Sequence, residues 1–507
     1  MIGGVSARPG PRRRAKNGRR EMREIHSKDS PSAAVRARLD HPVIDADAHI
    51  LECEWAIQDF IRQIGGREIA ARFEKMGRPG YSKAHRSMFW AAPSGKYTID
   101  RATCMLPKLY AERLADAGID FAIVYTTYGI SANQIRDEEM RRVLARALNS
   151  LYADMFAEVS DRITPSAVVP TWTPEEAIDE LDYAVNTLGL KTITISGEVR
   201  DAVPEVAERA PELADTTQRV TSICMEPRNG YDYDPFWRRC MELGVLPAGH
   251  AGSQKTQRRQ SPDCYSFNRL GSFSVGNEFF ARSLFFSGVC RRFPKLNFAF
   301  LEGGAAWAVT LYNDLFEIWS KRNTKWITEH MDPKKLDVEL MEEMFDRFGH
   351  RDYMTKEAWR ASPDLPQARI ANDERPMNDY AASGIEKAED IRDRFVPNFY
   401  FGAEADDRMT ALAFDTKLNH FGVKLKAVFS SDIGHWDVPD MTEVLSDAWG
   451  MVEEERITED DFRLFTFENT AEMHAGMNAD FYQGTAVEAA VAKLMKDKRR
   501  APATAAE

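Results

Sequence analysis

Val43-Ile44-Asp45-Ala46-Asp47-Ala48-His49 is a short apolar run that ends in alternating carboxylates and an imidazole. The same ending recurs in Leu246-Pro247-Ala248-Gly249-His250, in Phe298-Ala299-Phe300-Leu301-Glu302-Gly303-Gly304 and in Val428-Phe429-Ser430-Ser431-Asp432. Each run has the length and the β-branched or aromatic character of a buried strand, and each places an ionisable group where the strand stops. In a barrel of parallel strands all carboxyl ends open on one face, so positions as distant as 47 and 432 can surround one metal ion. Asp47 and His49 are two apart, so within a continuing strand they project to the same side.

Outward from these four runs the chain alternates short apolar segments with longer amphipathic ones, the rhythm of repeated βα units. Eight strands are expected, near 43–48, 120–125, 165–170, 190–196, 245–249, 297–301, 397–401 and 425–430, forming a distorted (β/α)8 TIM barrel. Helices are expected between them, at Glu138 to Phe156, Ala177 to Leu188 and Pro235 to Leu243. Thr173-Pro174-Glu175-Glu176 precedes the second of these with a capping hydroxyl, proline at the first helical position and a capping-box carboxylate. Two intervals exceed ordinary loops: 52 to about 107, and about 321 to 395, the latter a charged helical insertion containing Pro333, Pro363, Pro366 and Pro376. The barrel is expected over 41–485, a basic disordered arm over 1–40 with Arg12-Arg13-Arg14 and Arg19-Arg20, and a helix and tail over 486–507.

The composition narrows the function. With 43% hydrophobic and 29% charged residues, and no uncharged apolar run long enough for a bilayer, no membrane role is expected. A net charge of -12 opposes general affinity for nucleic acid and favours a small-molecule partner. Six scattered cysteines without a Cys-x-x-Cys pair suit reduced thiols in a cytoplasmic enzyme, not a thiolate zinc site.

With His250, Glu302 and Asp432 recurring at equivalent strand ends, one carboxylate and two imidazoles, joined by a second carboxylate, provide oxygen and nitrogen ligands for a mononuclear centre. With Ile44 to Glu52, Pro235-Phe236-Trp237, Glu242-Leu243-Gly244, Arg292-Phe293-Pro294-Lys295-Leu296, Glu302-Gly303-Gly304 and Ser430 to Asp437, the chain resembles the amidohydrolase-2 family over most of 43–475. That family includes aminocarboxymuconate-semialdehyde decarboxylase and several aromatic-acid decarboxylases. The resemblance implies metal ligands at Asp47, His49, His250 and Asp432, a carboxylic acid substrate and a homodimer. Two departures stand out. The first pair is Asp47-x-His49 where the family often has His-x-His or Glu-x-His, and the added negative charge widens the expected metal to zinc or manganese. Glu302 occupies a place often held by a catalytic histidine, where a carboxylate can still accept a proton. Lys191 stands at the beginning of the fourth strand, the wrong end for the carbamylated lysine of binuclear relatives.

Decarboxylation of an aromatic or unsaturated acid, with Asp432 protonating carbon, is the leading expectation. Hydrolysis of an ester, lactone or amide and a non-catalytic metal-binding barrel are the alternatives. His435 is a candidate proton relay; Arg258 and Arg259, with Lys255 nearby, are candidates for an acidic substrate; Tyr125, Trp172 and Trp307 are candidates for an aromatic pocket. His85 is a spare candidate, while His330, His350, His420 and His474 lie away from strand ends and are assigned structural places.

Overall fold

The computed structural model describes residues 25–26, 29–76, 92–130, 132–213, 218–225, 231–250, 261, 264–362 and 378–500. Arg258, Arg259, Lys255 and His85 lie outside these residues, as do Pro363, Pro366 and Pro376.

Eleven strands occur among them: β1 (Ile44–Ile50), β2 (Phe121–Thr126), β3 (Ile163–Pro165), β4 (Ala167–Val168), β5 (Ile193–Ile195), β6 (Glu198–Ala202), β7 (Gln218–Ser222), β8 (Pro247–Gly249), β9 (Phe298–Phe300), β10 (Phe399–Glu404) and β11 (Lys426–Ser430). Three strands run β1-β2-β3 and six run β11-β10-β9-β8-β5-β4, every neighbour parallel. Only Ser166 separates β3 from β4. Its N–H donates to the Val124 carbonyl at 2.9 Å, while Ala167 N–H donates to Thr192 at 2.9 Å, so one strand bridges β2 and β5. At the other junction Asp432 N–H donates to Asp47 (3.1 Å) and His49 N–H to Ile433 (2.9 Å), joining the ends of β11 and β1. The two sheets are therefore the arcs of one eight-stranded ring, a TIM barrel.

Alternation along the strands divides the core as such a ring requires. Ile44, Ala46, Phe121, Ile123, Tyr125, Leu246, Ala248, Ala299, Leu301, Tyr400 and Val428 form an inner cluster. Ala122, Val124, Ile193, Phe298, Phe300, Phe401 and Phe429 face outward into the layer of surrounding helices. The inner cluster continues into Phe467, Ala471, Met473, Phe481, Tyr482, Val491 and Leu494, so the C-terminal helices plug one mouth of the barrel. Lys191 marks that mouth, its Nζ donating to the Phe481 carbonyl at 2.9 Å.

The helix Glu138–Phe156 begins at Asp137, whose side chain accepts from Met140 N–H. Thr173 caps Pro174–Asp182 by accepting from Glu176 N–H at 3.1 Å. The Glu176 carboxylate does not complete the expected capping box. It takes a two-pronged bond from Arg141 at 2.7 and 2.8 Å, because a buried guanidinium needs a counter-charge more than the helix end needs a second acceptor.

Three boundaries differ from expectation. The seventh barrel strand, β10, runs to Glu404 instead of stopping at 401. An antiparallel hairpin, β6 with β7, rises after β5. Residues 31–36 of the expected arm form a helix, Pro31–Arg36, capped by Ser30 and bonded through Ser32 Oγ to Leu445 N–H. Among the described residues no helix is long and apolar enough to cross a membrane.

Candidate metal centre

At the carboxyl ends of the strands Asp47, His49, His250 and Asp432 are wholly or almost wholly buried. Ligand atoms of Asp47, His49 and His250 lie within 4.8 Å of one another, and those of His49, Glu302, Asp432 and His435 form a second such group that shares His49. Asp47 Oδ1 lies 3.1 Å from His250 Nε2 and 3.6 Å from His49 Nε2; Asp432 Oδ1 lies 3.2 Å from His49 Nε2. Ligand atoms about 2.1 Å from a common ion stand roughly 3.0 to 3.4 Å from one another, a spacing met by the separations of 3.1 and 3.2 Å and slightly exceeded by that of 3.6 Å. Asp47 Oδ2, His49 Nε2, Glu302 Oε2 and Asp432 Oδ2 are buried without a hydrogen-bond partner. Unpaired buried polar atoms are costly, and several converging in one place fit a divalent cation with oxygen and nitrogen ligands.

The backbone aims these groups. Glu302 and Asp432 are not glycine, yet their φ angles are 57° and 52°. Left-handed conformation at such residues costs of order 1–3 kcal/mol and persists only where surrounding contacts enforce it. Here Leu301 N–H donates to Gly249, Gly304 N–H to Gly402 and Asp432 N–H to Asp47, fixing both turns from each side. Asp45 adds a second tie, its Oδ1 accepting from Ser431 N–H at 3.0 Å and Asp47 N–H at 3.2 Å.

Burial sets the protonation states. It holds His49 well below the usual imidazole range, with the neighbouring imidazoles of His435 and His250 opposing a further positive charge there, and His435 likewise, assisted by His250 and Arg269. Both rings are thus neutral lone-pair donors, the form that binds metal. At His250 burial works in the same direction but Asp47 outweighs it, pushing the ring up to about 9. Burial also pushes Glu302 up to about 8 against the pull of Arg269 and His250, and raises Asp432 well above the carboxylate range with help from Glu302, Asp437 and Glu404.

His435 joins the group: Nδ1 is 2.6 Å from Asp432 Oδ1 and 3.9 Å from Glu302 Oε1, its ring stacks on His49 at 3.8 Å, and Nε2 is 3.2 Å from Thr127 Oγ1. Tyr125 is buried beneath, its ring stacked on His250 at 5.3 Å. Trp307 packs edge-on against the outward-facing Phe300 and Phe401, with its indole nitrogen beside Gly303. Trp172 Nε1 donates to the Asn133 carbonyl at 2.7 Å, and the Arg141 guanidinium lies over its ring.

Two groups escaped the sequence reading. Glu404 carries the same signal as the others, an acid at a strand end, and was hidden by ending that strand at 401. Arg269, in the short helix Tyr265–Arg269, carries no such signal; its Nη2 meets Glu302 at 3.0 Å, Glu404 at 3.3 Å and Asp437 at 3.4 Å.

A family model described as amidohydrolase matches residues 44–473, from the first residue of β1 into the helix Asn469–Ala475. This chain belongs to the amidohydrolase family. It is accordingly an enzyme of that family. No curated protein matches this amidohydrolase by sequence. Solved structures similar to it include an amidohydrolase from Mycobacterium avium subsp. paratuberculosis K-10, 15% identical with TM-score 0.49, over 86% of this chain and 99% of that one. A 2,6-dihydroxybenzoate decarboxylase from Rhizobium is 16% identical with TM-score 0.46, over 87% and 99%. A dihydroxybenzoic acid decarboxylase from Polaromonas sp. JS666, with bound manganese and the inhibitor 2-nitroresorcinol, is 16% identical with TM-score 0.47, over 87% and 99%.

Proposed function

We propose that this amidohydrolase decarboxylates an aromatic or unsaturated carboxylic acid with one divalent ion, zinc or manganese, held by Asp47, His49, His250 and Asp432. The observation that supports the reading is the approach of Asp47 and Asp432 to His49 at 3.6 and 3.2 Å and of Asp47 to His250 at 3.1 Å, two ligand groups that share His49, with buried atoms left unpaired. When bound, such an ion draws electron density from the oxygens of a carboxylate substrate.

The remaining steps belong to the chain. Loss of carbon dioxide leaves an electron pair on carbon, which needs a proton from a group held in its acid form. Asp432 is the donor of this reading: burial and neighbouring carboxylates favour its taking up a proton when no ion is bound. His435 Nδ1, 2.6 Å away, is placed to return a proton to it, and Thr127 fixes the other ring nitrogen. Glu302, also pushed towards its acid form, adds a second proton store at the same rim.

One observation favours hydrolysis of an ester, lactone or amide as the second reading. Glu302 Oε2 is buried, unpartnered and 3.8 Å from His250 Nε2, where a base for an attacking water would stand.

The deciding experiment measures metal content, then assays aromatic acids for carbon dioxide release beside esters, lactones and amides for hydrolysis. Carbon dioxide release with a metal-loaded chain is the expected result; hydrolytic turnover alone would replace the first reading by the second. Asp432→Asn is expected to lower turnover by about 10²- to 10⁴-fold, the usual share of a general acid. Normal turnover in that variant would remove Asp432 from the proton path. A homodimer belongs to the same reading and is tested by sedimentation equilibrium.

A further inference from the structure

Around Arg269 the rim carries more negative charge than one divalent ion needs. Glu302 arrives from the end of β9, Glu404 from the end of β10 and Asp437 from the turn after β11, and a single nitrogen of Arg269 meets all three at 3.0, 3.3 and 3.4 Å. Oxygens of Glu404, Asp432 and Asp437 lie within 4.8 Å of one another, close enough to share an ion. Two of the buried acids also keep an unpaired oxygen, Oδ2 of Asp432 and Oε2 of Glu302. Glu404 and Asp437 belong both to this group and to the three acids that Arg269 meets, and a carboxylate triad such as Glu404, Asp432 and Asp437 is the donor set of a hard divalent cation.

We infer that the guanidinium of Arg269 stands where a second divalent cation would otherwise bind, and so limits the centre to one ion. The inference rests on the reading of Asp47, His49, His250 and Asp432 as a metal site. Arg269 supplies one fixed positive charge where an exchangeable ion would supply two, and its Nη2 alone meets three carboxylates. Its plane lies over Phe273 at 4.8 Å, and four-fifths of the side chain is buried, so it is anchored in this place. Arg269 is thus a positioning residue: it holds Glu302 Oε1 and leaves Oε2 free.

The test is Mn²⁺ stoichiometry by equilibrium dialysis and elemental analysis, with calorimetric titration for affinity, on the full chain and on Arg269→Ala and Arg269→Lys. The expected result is one Mn²⁺ per wild-type chain at saturation, a second and weaker binding event in Arg269→Ala, and one ion again in Arg269→Lys, where the charge is restored. Added guanidinium at millimolar concentration is expected to displace the second ion from Arg269→Ala and leave the first. Circular dichroism confirms that each variant is folded; if Arg269→Ala is not, Arg269→Gln takes its place with the same expectation. One ion in wild type and in the neutral variant alike would overturn the inference while leaving the metal site intact, as would two in wild type. No ion in wild type would instead overturn the metal reading on which the inference stands.

Discussion

Asp45 shows how one residue outside the ligand group controls its geometry. Its carboxylate is buried in β1 and accepts from two backbone N–H groups, Ser431 from β11's end and Asp47 from its own strand. Both candidate ligands of the β1–β11 seam, Asp47 and Asp432, are therefore referenced to one side chain. Asp45→Ala leaves two buried donors without acceptors, each costing about 1–3 kcal/mol. The expected outcome is a fall of that order in unfolding free energy by urea titration, with weaker Mn²⁺ binding because the turn at Asp432 loses its tether. Unchanged metal affinity in a destabilised variant would confine Asp45 to stability. The burial that raises Asp45 to about 7 follows from the same enclosure, opposed by its bonds to Ser431 and Asp47.

At the scale of elements, the buried pair Arg141–Glu176 ties the helix Glu138–Phe156 to Pro174–Asp182, with side chains 3% and 1% exposed. Removing one partner strands the other's charge, so Glu176→Ala is expected to cost about 3–5 kcal/mol; chemical denaturation measures it. A loss below 1 kcal/mol would mean that Arg141 is satisfied by its other acceptors, the Ile135 and Arg136 carbonyls. The helix Asn469–Ala475 contributes a pH dependence through His474, fully enclosed and stacked on Phe481 at 4.1 Å. Burial lowers this imidazole to about 3, so the folded chain binds its proton less readily than the unfolded chain. Its contribution is present above about 6.5 and is lost as pH falls towards 3, by about 1.4 kcal/mol per unit within that window. His474→Phe is expected to flatten the acid limb of the stability profile; an unchanged limb would place the acid sensitivity elsewhere. Elements were legible in sequence where burial was symmetrical: apolar runs such as Ala427-Val428-Phe429 could only be inner strands. The hairpin of β6 and β7 was not, because Glu198–Ala202 and Gln218–Ser222 are polar and pair across a long interval. Glu176 was misassigned because a capping pattern is local, whereas its partner Arg141 is supplied by another helix. Arg269 was invisible for the same reason, its meaning arising only when three strand ends reach it.

The whole molecule is a ring whose two mouths are treated in opposite ways. One is filled by Phe481, Tyr482, Val491 and Leu494 of the C-terminal segment, while the other gathers Asp47, Asp432 and Glu302 in a buried space. Apolar closure at the first mouth stabilises the ring without chemistry; the second leaves carboxylates and imidazoles enclosed with unpaired atoms, a stability cost accepted for function. An ion bound there satisfies those atoms only in the folded state, where β1, β8 and β11 bring the ligands together. Stability should therefore rise with free metal by RT ln(1 + [M]/Kd), about 2.7 kcal/mol when the ion is at 100 times its Kd. The expected outcome is that chelation lowers Tm, that Mn²⁺ or Zn²⁺ restores it, and that the metal ranked tighter by calorimetry restores it further. In His250→Ala the response should shrink, since one ligand is lost, while the ring itself remains closed through the bonds of Asp432 to Asp47 and His49 to Ile433. A Tm that ignores both chelator and metal in the wild-type chain would show that this mouth holds no ion; a response equal in His250→Ala and wild type would place the ion away from the four side chains.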